Sequence, residues 1–262
     1  MSDSLVIIPT FNEAENIVEM IDTIFALEQD FHLLIIDDAS PDGTADLVKD
    51  RMQLYKDQLF IEERSGKLGL GTAYIHGFRW ALKRDYAYIF EMDADFSHNP
   101  EDLIKLRDAC QHDGAQLAIG SRYVTGVNVV NWPMSRVMLS YFASHYVRMI
   151  TGMPINDTTA GFKCYHRSVL ETIELDKVKF MGYAFQIEMK FLAWKYGFSI
   201  SEVPIIFTDR TRGASKMTQG IIKEAVFGVL QIKINSLFRN FRKGTAPQEE
   251  LIEANRLNGV DA

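Results

Sequence analysis

Cysteine is nearly missing from this chain, with only Cys110 and Cys164 among 262 residues. No Cys-x-x-Cys occurs, so a zinc ribbon, a thioredoxin-type dithiol and a disulfide framework are excluded, and a reduced cytosolic compartment is expected. Excess positive charge is missing too. Twenty-eight Lys and Arg against 35 Asp and Glu leave a net charge of -7, which argues against a nucleic-acid surface. There is no uninterrupted apolar run of membrane-spanning length. The longest apolar tract, Ile221 to Phe238, is broken by Lys223, Glu224, Gln231, Lys233 and Asn235 and cannot cross a bilayer as a plain apolar helix. The first residues carry no basic n-region and no apolar h-region, so no signal peptide is expected. Gly69-Leu70-Gly71 lacks the third glycine of a dinucleotide fingerprint, and no Walker-type lysine motif occurs. Those glycines are expected to open a helix and let its backbone approach a neighbour closely.

What is there is an ordinary globular composition, 47% hydrophobic and 24% charged. Short apolar runs alternate with helical patterns. Leu5–Ile8, Leu33–Ile36, Leu59–Ile61, Tyr86–Met92 and Leu117–Ile119 predict five buried strands. Between them Asn12 with Glu15 predicts a capping box, Gly69 opens a helix to about Arg84, and Pro100 starts another. Continuously apolar strands in this alternation predict a mostly parallel sheet covered on both faces, a Rossmann-like α/β domain. The second half predicts a helix from Trp132 to Ile150, a short strand near Phe162–Tyr165, a helix over 184–196, and a strand over 200–207 whose Pro204 implies an edge. A long amphipathic stretch follows over 218–243, then a polar tail over 244–262.

Open parallel sheets bind ligands outside the carboxyl ends of their strands. In this chain Pro9-Thr10-Phe11-Asn12-Glu13, Asp37-Asp38, Asp93-Ala94-Asp95 and Ser121-Arg122 all follow strands, so polar chemistry collects at one edge. Asp93 and Asp95 converge only if the strand ends between them and the chain turns. Converging carboxylates call for a cation, and an all-oxygen set completed by a diphosphate suits Mg²⁺ or Mn²⁺. The competing structural reading is a solvated acidic turn ahead of Pro100.

Seven segments in order carry a resemblance: Pro9–Glu13, Asp37–Thr44, Lys67–Tyr74, Asp93–His98, Gly120–Tyr123, Asp157–Lys163 and Arg212–Lys216. Over about residues 4–217 the chain resembles family 2 glycosyltransferases of the GT-A fold, closest to the polyprenyl-phosphate sugar synthases of the dolichyl-phosphate mannose synthase type. The resemblance implies a GT-A domain over 1–217, with a nucleotide-binding half to about 125 and an acceptor half over 126–217. It places Pro9, Asn12, Glu13 and Asp38 at the base and ribose, and Asp93 and Asp95 at the metal and diphosphate. It places Arg122, Arg136 and Ser140 at a lipid phosphate. Ser97 stands where some relatives carry a further ligand.

A hydroxyl acceptor needs a general base, and the stretch Gly182–Glu188 lacks the acidic pair that supplies one in related enzymes. An acceptor already ionised needs none. A phosphate monoester, with its second pKa at about 6, qualifies. Guanidinium forks suit its oxygens. Arg136 and Ser140, one helical turn apart, present both donors on one face; the alternative is a solvated stripe. Arg212 and Lys216 are expected at the nucleotide diphosphate or on a closing loop. Asp157 either orients the donor sugar or ties down its own loop, and Glu91 and His98 are read as structural.

The expected activity is metal-dependent, inverting transfer of a hexose, mannose from GDP-mannose first, to a polyprenyl monophosphate at the cytoplasmic face of a membrane. The 218–243 stretch is read as membrane-interfacial, against packing on the chain's own core, on a homodimer partner or on a membrane protein. The rivals are transfer of another hexose, a glycan-elongating transferase, and a non-catalytic sugar-nucleotide-binding subunit.

Overall fold

The computed structural model describes residues 2–210, 212 and 219–241. Lys216 and the tail from residue 244 therefore lie outside the described residues. The strands are β1 (Ser4–Thr10), β2 (His32–Asp37), β3 (Leu59–Glu63), β4 (Tyr88–Glu91), β5 (Leu117–Ser121), β6 (Val129–Val130), β7 (Lys163–His166), β8 (Ile200–Pro204) and β9 (Phe207–Thr208). The α-helices are α1 (Ile17–Phe25), α2 (Thr44–Met52), α3 (Leu70–Leu82), α4 (Asp102–Gln111), α5 (Met134–Thr151), α6 (Arg167–Thr172), α7 (Tyr183–Lys195) and α8 (Gln219–Leu237).

Seven strands form the main sheet in the order β3-β2-β1-β4-β7-β5-β8, and β6 pairs with β9 in a small second sheet. Every pairing in the main sheet is parallel except those of β7, which runs antiparallel between β4 and β5. The alternation along β1 shows why the sheet is covered twice. Leu5 and Ile7 enter one core with α3 and α7, while Val6 and Ile8 enter the other with α1 and α4. All four are fully buried. Each contributes about 1.5–3 kcal/mol relative to exposure, so these four central positions are apolar on both faces.

Three local readings are corrected. Helix α1 begins at Ile17 with Asn16 at its cap, four residues beyond Asn12. Asn12 is in the left-handed region at φ 56°, and the first turn is built on the Glu13 carbonyl, which accepts from Asn16 N and Ile17 N. The single strand expected over 200–207 divides into β8 and β9. The strand near Phe162 exists, but its place inside the sheet against the parallel direction was not expected. Pro204 does end the edge strand β8, where its missing N–H costs no ladder bond.

The close approach expected at Gly69-Leu70-Gly71 is present. Gly69 caps α3 at φ 101°, and Gly71 N donates to the Met181 carbonyl at 2.8 Å. A Cβ on Gly71 would stand 2.8 Å from Phe185 Cγ. This contact pins the start of α3 to the start of α7 and fixes one wall of the site.

Candidate active site

A cleft of about 930 Å³ opens at the carboxyl ends of β1, β2, β4 and β5. Pro9, Glu13, Asp38, Asp93, Asp95, Arg122, Arg136 and Ser140 all line it. Asn12 is exposed and is not among the lining residues. Arg212 also lies elsewhere: it is exposed, and its Nη1 reaches Glu19 Oε2 at 2.6 Å on α1.

At the first end, Asp38 is held by Arg64, whose Nε donates to Oδ1 at 2.6 Å, while Leu68 N donates to Oδ2 at 3.2 Å. Glu13 is buried and its carboxylate accepts from Asn16 Nδ2 at 3.0 Å. Lys67 lies 4.8 Å over the Phe11 ring, and both line the cleft.

At the centre, Asp93 and Asp95 follow β4. Asp95 is buried, its Oδ1 accepts from Ser97 N at 3.1 Å, and its Oδ2 lies 2.6 Å from Arg210 Nη2. Burial first, then the neighbouring Asp95 charge, push the Asp93 carboxyl up to about 7, although Arg210 opposes the rise. Two adjacent carboxylates that resist joint ionisation form a donor set suited to a hard divalent cation. Among the described residues no group of three or more His, Cys, Asp or Glu side chains converges to hold a metal. A cation held here by the protein would therefore need further oxygen ligands from a substrate.

His98 packs on Phe162 with ring centroids 4.9 Å apart, and burial lowers its imidazole to about 4. It is neutral at physiological pH, a packing residue beside the carboxylates. Below the cleft lies a buried polar layer. Lys163 sits 3.1 Å from Glu91 and bonds Gln186, and Tyr165 OH donates to Glu91 at 2.9 Å. Glu91 thus serves the sheet, neutralising a lysine that β7 places inside it.

At the far end, Arg122 and Asp157 form a buried bidentate pair, with Nε–Oδ2 at 2.7 Å and Nη2–Oδ1 at 2.6 Å, and Arg122 N also donates to Asp157 at 3.0 Å. Asp157 therefore ties its loop to Arg122. Arg136 lies 4.2 Å over Trp132 and bonds Asp209 at 2.8 Å. Ser140, Leu139, Phe142, Ala143 and Tyr146 of α5 and Val226 and Val229 of α8 continue the wall as an apolar trough. Among the described residues the carboxylates lining the cleft are Glu13, Asp38, Asp93 and Asp95, at the first end and the centre, while at the α5 end the Asp209 carboxylate is tied to Arg136.

Arg64, Trp132 and Arg210 line or support the site without having been singled out in the sequence. Nothing in the spacing along the chain ties Arg210 to Asp95.

The sequence matches the family described as Glycosyl transferase family 2 over residues 5–174. It is 47% identical over 228 residues to a polyprenol monophosphomannose synthase of Mycolicibacterium smegmatis, covering 87% of this chain and 86% of the relative. It is 44% identical over 225 residues to an undecaprenyl-phosphate mannosyltransferase of Micrococcus luteus, covering 86% and 91%. Among solved structures, a glucosyl-3-phosphoglycerate synthase from Mycobacterium tuberculosis in complex with Mn²⁺, UDP-glucose and glycerol 3-phosphate superposes with a TM-score of 0.63. It is 16% identical, with 87% of this chain and 79% of that one covered. A mannosyltransferase from Pyrobaculum calidifontis in complex with GDP-Man and Mn²⁺ gives 0.54 at 15% identity, with 99% and 81% covered.

Proposed function

Because this chain belongs to glycosyl transferase family 2 and has a GT-A fold, we propose that it transfers mannose from GDP-mannose to a polyprenyl monophosphate. One observation carries the acceptor: the α5 end of the cleft offers guanidinium groups, a hydroxyl and an apolar trough, and the carboxylate the described residues bring there, Asp209, is engaged by Arg136 at 2.8 Å. The names of its two relatives support the sugar and the class of lipid.

In this reading Pro9, Glu13 and Asp38 face the nucleoside, with Asn12 at the rim. Asp93 and Asp95 hold a divalent cation, Mg²⁺ or Mn²⁺, which when bound supplies Lewis-acid neutralisation of the leaving diphosphate. Arg136 and Ser140 take the acceptor phosphate. Arg122, paired with Asp157, stands on the cleft wall beside them. A phosphate oxygen attacks the anomeric carbon opposite the diphosphate. The C1–O bond to the diphosphate breaks, its electron pair leaves with the diphosphate, and the product is the inverted, β-linked phosphodiester. The nucleophile is a dianion, so no proton has to be removed. Arg212 and Lys216 are the further candidates for the diphosphate.

Another hexose donor gives the same geometry, and a donor series against one lipid phosphate separates the two. The face formed by α5 and α8 is assigned to the membrane surface, where the long prenyl chain resides. Purified protein with Mn²⁺ should form mannosyl polyprenyl phosphate, and Asp95→Asn should lower kcat by at least about a hundredfold. Failure to glycosylate a polyprenyl phosphate from any sugar nucleotide would refute the function.

A further inference from the structure

The two charged groups on which the reading above depends are both engaged by one dipeptide. Asp209 accepts from Arg136 Nη1 at 2.8 Å. The next residue, Arg210, places Nη2 2.6 Å from Asp95 Oδ2. Their backbone is stitched to the cleft rim: Thr208 N donates to the Ser97 carbonyl at 3.2 Å, and Asp209 N to the Val130 carbonyl at 3.0 Å. Arg210 N also donates to Asp209 Oδ1 at 3.1 Å, so the two side chains share one turn of backbone.

We propose that Asp209-Arg210 is a built-in mimic of both substrate charges, and that its release makes metal binding and acceptor binding mutually reinforcing. This inference rests on the assignment of Asp95 to the metal and Arg136 to the acceptor phosphate. The Asp209 carboxylate stands in for an anionic phosphate on the Arg136 guanidinium. The Arg210 guanidinium stands in for a cation on the Asp95 carboxylate. A divalent cation at Asp95 must displace Arg210 or share the carboxylate with it. A phosphate on Arg136 must displace Asp209.

Because Arg210 N donates to Asp209 Oδ1, freeing the Asp209 carboxylate also frees the backbone that carries Arg210. Whichever ligand arrives first loosens the contact that opposes the second. Linkage makes the effect reciprocal. The two contacts also differ in exposure. Arg136 and Asp209 are each 28% exposed, whereas Asp95 is 4% and Arg210 25% exposed. Exposed pairs are worth little, whereas removing one partner of a buried pair is costly, so a cation that replaces Arg210 on Asp95 also spares that carboxylate from being left unpaired.

Calorimetry on the full chain, with MnCl₂ and farnesyl monophosphate as separate probes, tests this. In the wild type, saturating Mn²⁺ should tighten farnesyl phosphate roughly fivefold, within the usual range of coupling between sites. Arg210→Gln should tighten Mn²⁺ about tenfold by removing the competing cation. Asp209→Asn should tighten farnesyl phosphate by up to about fivefold and, through the backbone shared with Arg210, tighten Mn²⁺ by a smaller factor. The double variant should lose the coupling. Arg210→Gln binding Mn²⁺ no tighter than wild type, or wild-type farnesyl phosphate affinity indifferent to Mn²⁺, would overturn the inference. If Arg210→Gln does not fold, the wild-type coupling and the Asp209→Asn affinities decide it alone. A wild type that binds neither probe refutes the site assignment itself, whereas one that binds both without coupling refutes only the mimic.

Discussion

Asp93 and His98 are perturbed in opposite senses within one small volume. Asp93 is raised from 3.8 to about 7 and His98 lowered from 6.5 to about 4, both chiefly by burial. The signs follow from which state holds the proton. Folded Asp93 keeps a proton that the unfolded chain has released, so its contribution falls as pH rises from about 4 to about 7. Folded His98 has shed a proton that the unfolded chain keeps, so its contribution rises from about 4 to about 6.5. In the metal-free wild type the two largely cancel. Replacing Asp93 by Asn removes one side of the balance. Denaturant unfolding in EDTA should then show the stability difference, Asp93→Asn minus wild type, increasing with pH between about 4 and about 7. The slope should not exceed roughly 1.4 kcal/mol per pH unit. Parallel curves would mean that Asp93 is not held protonated. Cation binding competes with the same proton, so Mn²⁺ affinity of the wild type should weaken below pH 7.

Between elements, the determining contact is α3 against α7. Gly71 has no room for a methyl group, with Phe185 Cγ at 2.8 Å and the Phe180 carbonyl at 2.9 Å from a built Cβ. Gly71→Ala should therefore cost about 1–3 kcal/mol by forcing the helices apart, read as a lower denaturation midpoint with unchanged m-value. It should also raise the donor KM, because Gly69 and Leu70 line the cleft. An unshifted midpoint would show that the wall gives way freely. Contacts of this kind mark the boundary of what sequence patterns reveal. Strands β1, β2 and β5 were legible because burial on both faces demands unbroken apolar runs. Asp38, Asp93 and Asp95 were legible because they directly follow such runs. β7 was only half legible: Lys163 is fully buried in its middle, and only Glu91 on the neighbouring strand explains how a charge lies there. Arg64 on Asp38 and Arg210 on Asp95 were not legible, since the partner of a charge is chosen by the tertiary fold. The α1 start was misread because a local capping pattern at Asn12 yielded to the tie between Glu13 N and Thr44 Oγ1, 3.0 Å apart.

The whole molecule is acidic, with a net charge of -7, yet one face is apolar. Helices α5 and α8 lie side by side, joined by a hydrogen bond from Tyr146 OH to the Val226 carbonyl at 3.1 Å and by Lys233 to the Thr151 carbonyl at 3.2 Å. Val229 and Ile232 turn inward, while Phe227 is 70% and Leu237 72% exposed. No described helix is long and apolar enough to cross a membrane. An exposed apolar face that continues from the cleft wall is suited to the interface where a prenyl chain emerges. On neutral lipid, where no head-group charge attracts or repels the chain, apolar burial drives such contact. Binding to neutral phosphatidylcholine vesicles should then be insensitive to salt. Burying each side chain is worth roughly 1.5–3 kcal/mol, so Phe227→Asp with Leu237→Asp should lower vesicle partitioning by at least about a hundredfold. Neither residue lines the cleft, so turnover of water-dispersed farnesyl phosphate should be retained while turnover of vesicle-embedded polyprenyl phosphate falls. Equal loss on both substrates would mean that the face supports the fold; no loss on either would mean that it does not meet the bilayer.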